Sequence, residues 1–189
     1  MPKIISDEEI YQAVIKVVSE RGYAGATTKH MAEAARVSEV TLFRKYESKM
    51  QLVSLAVMSI IEQVGFFHAA QYTGNLESDL FRIVEAYQDV SARYGHFMVI
   101  LLTEISRHSE MQDMIDTPFE IFNKIGELLT RYQSENVLRK ENPLHSLAAL
   151  LGPVMFVNMM QSALDNNQIP SLDLSLHVDN YLRGHGCAM

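Results

Sequence analysis

Apolar residues recur at intervals of three and four along almost the whole chain, and no stretch alternates apolar and polar with period two. Glycine and proline number only nine and five in 189 residues. A period near 3.6 lines one face of a helix, whereas a strand needs a period of two, so the pattern predicts an all-α fold. Caps and spacing predict about nine helices. The first opens at Ser6, with Glu9 three residues later as a capping box. It carries Ile10, Tyr11, Val14, Ile15 and Val18 as one buried stripe, and Gly22 ends it. The second opens at Thr27 or Thr28 and runs to about Ala35, and the third runs from Ser38 to about Tyr46. The fourth opens at Ser48, with Gln51 as a second capping box, and extends toward Phe66. Further helices are expected at about 77–94, 96–107, 118–136 with Pro118 in its first turn, 144–166, and 171–183 capped by Ser171. Pro153 predicts a kink within the eighth.

The apolar share of 48% supports a packed core and argues against disorder. No run of 18 or more uncharged apolar residues stands out, which argues against a membrane span. The opening MPKIISDEEI has no apolar core and turns acidic at once, so it does not read as a secretion leader. The single cysteine, Cys187, offers neither a disulfide framework nor a cysteine-based metal site. These features lead us to expect a cytoplasmic protein. Net charge is −7, but unevenly spread. Residues 1–54 hold eight Lys/Arg against seven Asp/Glu, and residues 55–189 hold eight against sixteen. That asymmetry suggests a nucleic-acid-facing head on an acidic body.

Helices two and three are short and joined by Ala35-Arg36-Val37, the arrangement of a helix-turn-helix. Ala32 and Ala35 are small enough for the crossing, and Met31, Val37, Leu42 and Tyr46 supply apolar anchors. Ser38, Glu39, Thr41, Arg44 and Lys45 remain on the third helix with no core to enter. A short helix with such groups outward suits the major groove, which admits one α-helix. Thr28 and Lys29 at the start of the second helix, and Ser48 and Lys49 at the start of the fourth, bracket it with groups suited to phosphate.

The span GYAGATTKHMAEAARVSEVTLFRKYESKMQL resembles the N-terminal domain of the tetracycline-repressor (TetR) family. The matching elements are GY, TT, MA…A.VS, TLF..Y and SK..L, over about residues 6–55. The remainder resembles the family only in length and helical pattern. The resemblance implies a homodimeric transcription regulator, usually a repressor, released from a palindromic operator by a small molecule. It implies a helix-turn-helix DNA-binding domain over 1–50 and a ligand-binding and dimerisation domain over 51–189. Carried over by position, the DNA-contacting candidates are Thr28, Lys29, Ser38, Glu39, Thr41, Phe43, Arg44, Lys45 and Lys49. Four positions depart from the family pattern. Arg36 stands where glycine is common, placing a Cβ on a left-handed turn residue at a cost of roughly 1 kcal/mol. Val40 replaces a small residue and can meet a thymine methyl, and Phe43 replaces a frequent tyrosine. Glu39 is acidic on a DNA-facing surface, where it can accept from a cytosine amino group or disfavour wrong sites.

Phe66, Phe67, Tyr87, Tyr94, Met98, Leu102, Phe119, Phe122, Met155 and Met159 form an aromatic and methionine-rich set on the middle helices. Methionine adapts to irregular cavities. The family likeness makes this set the candidate lining for a small, largely apolar effector, although core packing uses the same residue types. The eighth helix is apolar nearly all round and must be buried on every side. With the ninth it forms the expected homodimer interface, about 144–166 and 171–183, the other reading being a helix central to its own subunit. His96, Glu104 and His108 share a predicted helix but lack a metal-site signature, so no metal or cofactor is expected. No catalytic motif is present, and an enzyme is not expected. The competing functional reading is a TetR-like scaffold that binds another protein as a coregulator without touching DNA.

Overall fold

The computed structural model describes residues 5–105, 116–164 and 169–187 of the chain. Among the described residues the regular structure is entirely helical. The elements are α1 (Asp7–Gly25), α2 (Thr28–Ala34), α3 (Glu39–Tyr46), α4 (Lys49–Val64), α5 (Phe66–Ala69), α6 (Leu76–Ile105), α7 (Asp116–Ser134), α8 (Pro143–Ala163) and α9 (Leu174–His185). The chain divides into two compact units, Met1–Gln63 with His96–Ile115, and Val64–Gly95 with Asp116–Met189.

Local chemistry explains the element boundaries of the first unit. Ser6 and Glu9 form the reciprocal capping box at α1: the Glu9 N–H donates to Ser6 Oγ at 3.2 Å and the Ser6 N–H to Glu9 Oε2 at 3.0 Å. The helix proper stops at Gly22, whose φ of 69° and ψ of 166° lie in a region open only to glycine. Residues 23–25 add a separate turn. Thr27, rather than Thr28, caps α2, and its hydroxyl accepts from the His30 N–H at 3.2 Å. The α2–α3 turn passes through Arg36 at φ 56°, the left-handed conformation expected there. Ser38 caps α3 by accepting from the Thr41 N–H at 3.0 Å. Ser48 Oγ accepts from the Gln51 N–H at 3.1 Å before α4. Beneath these helices Val14, Val18, Met31, Leu42, Leu52, Val53, Ala56 and Ile60 are buried as one core.

In the second unit α7 packs on α8, and α8 on α9. Leu80, Ile83, Val84, Ile125, Leu129, Tyr132, Leu150, Val154 and Val178 are buried there. Asp79, fully buried, is held by four contacts from three residues. It accepts from the Thr73 N–H at 2.9 Å, the Thr73 hydroxyl at 2.5 Å and the Tyr132 hydroxyl at 2.6 Å, and pairs with Arg82 at 3.0 Å. Every polar partner a buried carboxylate needs is therefore supplied from within the unit. The Leu138–Gly186 bridge ties the segment after α7 to the end of α9.

Three expectations are corrected. The helices expected at 77–94 and 96–107 are one element, α6, as far as Ile105; the residues beyond it lie outside those described. Gly95 lowers helix stability by about 1 kcal/mol relative to alanine but leaves the hydrogen-bond ladder intact, so it need not break a helix. The fourth helix stops at Val64, because Gly65 turns left-handed at φ 66° and starts the separate short α5. Asp173, not Ser171, caps α9, accepting from the Leu176 N–H at 3.0 Å. A carboxylate there gains from the helix dipole as well as the hydrogen bond. Residues 165 and 166, assigned to the eighth helix by sequence, lie outside the described residues. α8 is long and apolar enough to cross a bilayer, with a mean hydropathy of 1.4. It nevertheless buries Ser146, Leu147, Leu150, Leu151, Val154 and Asn158, and it continues on both sides of Pro153.

Candidate nucleic-acid interface

The exposed face of the first unit is built by α3. Leu42 and Tyr46, one turn apart, are buried and fix the roll of the helix. The opposite side is therefore turned outward: Val40 is 78% exposed, Phe43 is 48% exposed, and Glu39, Thr41, Arg44 and Lys45 are also exposed. Thr41 Oγ1 lies 2.7 Å from Ser38 Oγ, so the hydroxyls at the tip of α3 form a local pair.

Side-chain bonds sort the cationic candidates. Lys45 forms an ion pair with Asp7 at the start of α1, and Asp7 also accepts from the Tyr46 hydroxyl at 2.8 Å. The bond from Lys45, then that from Tyr46, holds the Asp7 carboxyl below its usual range. Burial and the bond to Asp7 push the Tyr46 phenol up. Lys49 donates to the Tyr23 carbonyl, and its ammonium lies 4.0 Å from the centre of the Tyr23 ring. Burial lowers its pKa. Lys29 and Arg44 are exposed. Thr28 turns toward α3 and donates from Oγ1 to Glu39 Oε1 at 2.7 Å, joining the first residues of the two helices.

Sequence reasoning missed Asp7 and His30 as parts of this site. His30 Nδ1 lies 3.5 Å from the Thr27 backbone nitrogen and 3.2 Å from the Gly25 carbonyl, so it replaces the usual Glu or Gln of a capping box. Its position three residues after Thr27 was the available signal. Asp7 lies 38 residues from Lys45, and no local pattern announces that pair.

The members of the aromatic and methionine set differ in burial. Phe66 is buried and its ring centre lies 6.5 Å from that of Tyr87, whose phenol burial pushes up. Tyr94 is buried and Met98 half-buried. Phe67, Leu102, Phe119, Phe122, Met155 and Met159 are exposed. A cleft of about 660 Å3 in the second unit is lined by Val64, Gly65, His68, Ala69, Arg82, Glu85, Ala86, Gln88, Asp89 and Ala92, none of them from that set. At its edge Gln88 and Asn158 exchange amide hydrogen bonds at 3.2 and 3.0 Å. His96 is exposed and Glu104 half-buried, while His108 lies outside the described residues.

A three-helix unit whose third helix turns its unburied side outward has the arrangement of a helix-turn-helix domain. Residues 10–56 match the family of bacterial regulatory proteins called tetR. Over 113 residues the chain is 29% identical to the HTH-type transcriptional regulator Rv1556 of Mycobacterium tuberculosis, covering 60% of this chain and 54% of that protein. Over 127 residues it is 28% identical to the HTH-type regulator YvkB of Bacillus subtilis, covering 67% of this chain and 65% of that one. The chain thus spans about half to two thirds of the curated relatives it matches. Two solved structures share the fold. A TetR family regulator from Marinobacter aquaeolei superposes with a TM-score of 0.76 at 14% identity, covering 96% of each chain. The TetR family regulator PfmR of Thermus thermophilus gives 0.68 at 18%, covering 95% of this chain and 99% of that one. The match to the tetR family thus covers residues 10–56, and the chain as a whole shares the fold of these two solved structures.

Proposed function

We propose that the protein is a cytoplasmic transcriptional repressor that binds a palindromic operator as a homodimer and releases it on binding a small, largely apolar effector. The observation that carries this is the roll of α3, which buries Leu42 and Tyr46 and leaves Glu39, Val40, Phe43 and Arg44 outward. In this reading residues 1–50 read DNA and residues 51–189 bind ligand and dimerise. Two copies of α3 enter successive major grooves about 34–36 Å apart. Thr28, Lys29, Ser38, Thr41, Lys45 and Lys49 flank the bases, and the effector shifts the equilibrium only by its differential affinity for the bound and released states. The dimer proposal is supported by Leu144, Met155, Phe156, Met159 and Leu176, large apolar side chains left exposed on α8 and α9.

The second reading, a protein-binding coregulator, is favoured by the engagement of Lys45 with Asp7 and by the net charge of −7. Fluorescence anisotropy on duplexes from upstream of the protein's own coding region, titrated with salt, separates the two. The regulator reading expects saturable, palindrome-dependent binding that weakens linearly with log salt concentration. Absence of duplex binding at low ionic strength overturns it.

A further inference from the structure

We infer that Thr28 is a positioning residue that aims the Glu39 carboxylate at a cytosine amino group, giving the operator a C·G pair at one fixed position in each half-site. This rests on the DNA-binding reading above.

The starting point is an otherwise unfavourable charge. Glu39 is the first residue of α3, exposed beside Val40 on the face that meets DNA. A carboxylate approaching a polyanion is repelled, and it loses its water on contact. It regains a partner only from a hydrogen-bond donor. In the major groove guanine and thymine present acceptors at their outward edges, so a carboxylate rejects both. Adenine presents its amino group beside the N7 acceptor, which repels the second carboxylate oxygen. Cytosine presents an amino group with no acceptor next to it on the same base, and it alone suits a group that can only accept.

Thr28 makes this selection directional. Its hydroxyl donates to Glu39 Oε1 at 2.7 Å across the turn, from residue 28 to residue 39. Glu39 is exposed and Thr28 half-buried, and a hydrogen bond at such a solvent-accessible place contributes little to folding. What it does is hold the carboxylate in one rotamer, with Oε1 occupied and Oε2 left to accept. Buried Leu42 and the Ser38 cap hold the backbone that carries it. One fixed acceptor oxygen matches the single outward N–H of a paired cytosine.

The test is selection from randomised duplexes by the full-length protein, followed by competition binding with single-position variants of the selected palindrome. The wild type is expected to prefer C·G at one half-site position by roughly 5- to 150-fold, the range of one good base contact. Glu39→Gln is expected to transfer that preference to adenine, since an amide can both donate and accept. Thr28→Val is expected to lower the cytosine preference several-fold and leave the salt dependence unchanged, while Thr28→Ser restores it. Should valine be poorly tolerated in the first turn of α2, Thr28→Ala supplies the same comparison. A base profile that Glu39→Gln leaves unchanged, or that Thr28→Val and Thr28→Ala both leave unchanged, overturns this inference alone. A wild type that selects no duplex overturns the DNA-binding reading with it.

Discussion

The ammonium of Lys45, in the last turn of α3, is paired with the carboxylate of Asp7 in the first turn of α1, and the same carboxylate accepts from the Tyr46 hydroxyl. In the proposed DNA-binding reading a phosphate would therefore compete with Asp7 for Lys45. About half of each side chain is exposed, so the pair contributes less than about 1 kcal/mol to stability. Asp7→Asn keeps an oxygen for Tyr46 and removes the charge that holds Lys45. Its unfolding midpoint is expected to move little. Its affinity for non-specific duplex is expected to rise, with the log–log salt slope steepening by about 1. A slope equal to that of the wild type shows that Lys45 does not reach phosphate.

Backbone strain gives a second prediction, of opposite sign at two positions. Gly22 sits at φ 69° and ψ 166°, with no atom within 4 Å of where a Cβ would stand. The penalty of Gly22→Ala is thus purely conformational, about 1–3 kcal/mol of unfolding free energy. Arg36 has φ 56° and carries a Cβ in the left-handed region. Arg36→Gly relieves about 1 kcal/mol of strain, part of which returns as unfolded-state entropy, so a net gain of a few tenths of a kcal/mol is expected. Urea unfolding of the two variants measures both. A loss at Arg36 or a neutral Gly22→Ala contradicts this account.

These two glycine-type positions also show what the sequence could reveal. Gly22, the Ser6–Glu9 box and the Ser38 cap are local: each is decided by residues within four positions, and each is found where the sequence places it. The all-helical class follows from periodicity in the same way. The Lys45–Asp7 and Thr28–Glu39 pairs are 38 and 11 residues apart. They exist because helices pack, and no single-segment pattern encodes them. The continuity of α6 through Gly95 was hidden for a different reason, since a glycine lowers helix propensity without deciding the outcome against tertiary packing. The aromatic and methionine set could not be divided between pocket and core by sequence alone, because the same residue types serve core, surface and pocket alike.

Asp79 gives a pH dependence. Burial alone would raise its pKa, but the Thr73 and Tyr132 hydroxyls, the Thr73 N–H and Arg82 outweigh it and hold the carboxyl below its ordinary value. The folded pKa lies below the unfolded one. The stabilisation is therefore complete above the unfolded value near pH 4 and is lost as pH falls through the folded value. Asp7, Glu8 and Glu141 are shifted the same way, so the informative quantity is a difference between proteins. Unfolding free energies measured from pH 2 to 6 are expected to fall more steeply on acidification for the wild type than for Asp79→Asn. Asp79→Ala, which orphans the buried Tyr132 hydroxyl, is expected to lose about 3 kcal/mol at pH 7. Parallel pH curves for the wild type and Asp79→Asn contradict this assignment.

Lys29 and Lys49 look equivalent in the sequence, one lysine at the start of each helix flanking α3, but their surroundings separate them. Lys49 is half-buried, donates to the Tyr23 carbonyl and lies over the Tyr23 ring. Lys29 is exposed. Lys49→Ala removes a charge-assisted hydrogen bond and a cation–π contact, and is expected to lower stability by about 1–2 kcal/mol. Any loss of DNA affinity then comes with a lower unfolding midpoint. Lys29→Ala is expected to leave the midpoint unchanged, weaken binding to all duplexes alike and reduce the salt slope by about 1. Arg44→Ala, on the outward face of α3, is expected to relax preference at one base position, which distinguishes it from both lysines. Anisotropy titrations at four or more salt concentrations, run beside thermal unfolding, resolve the three outcomes. A Lys49→Ala protein of wild-type stability with a reduced salt slope contradicts the structural part of this account and leaves Lys49 the role of a phosphate contact alone.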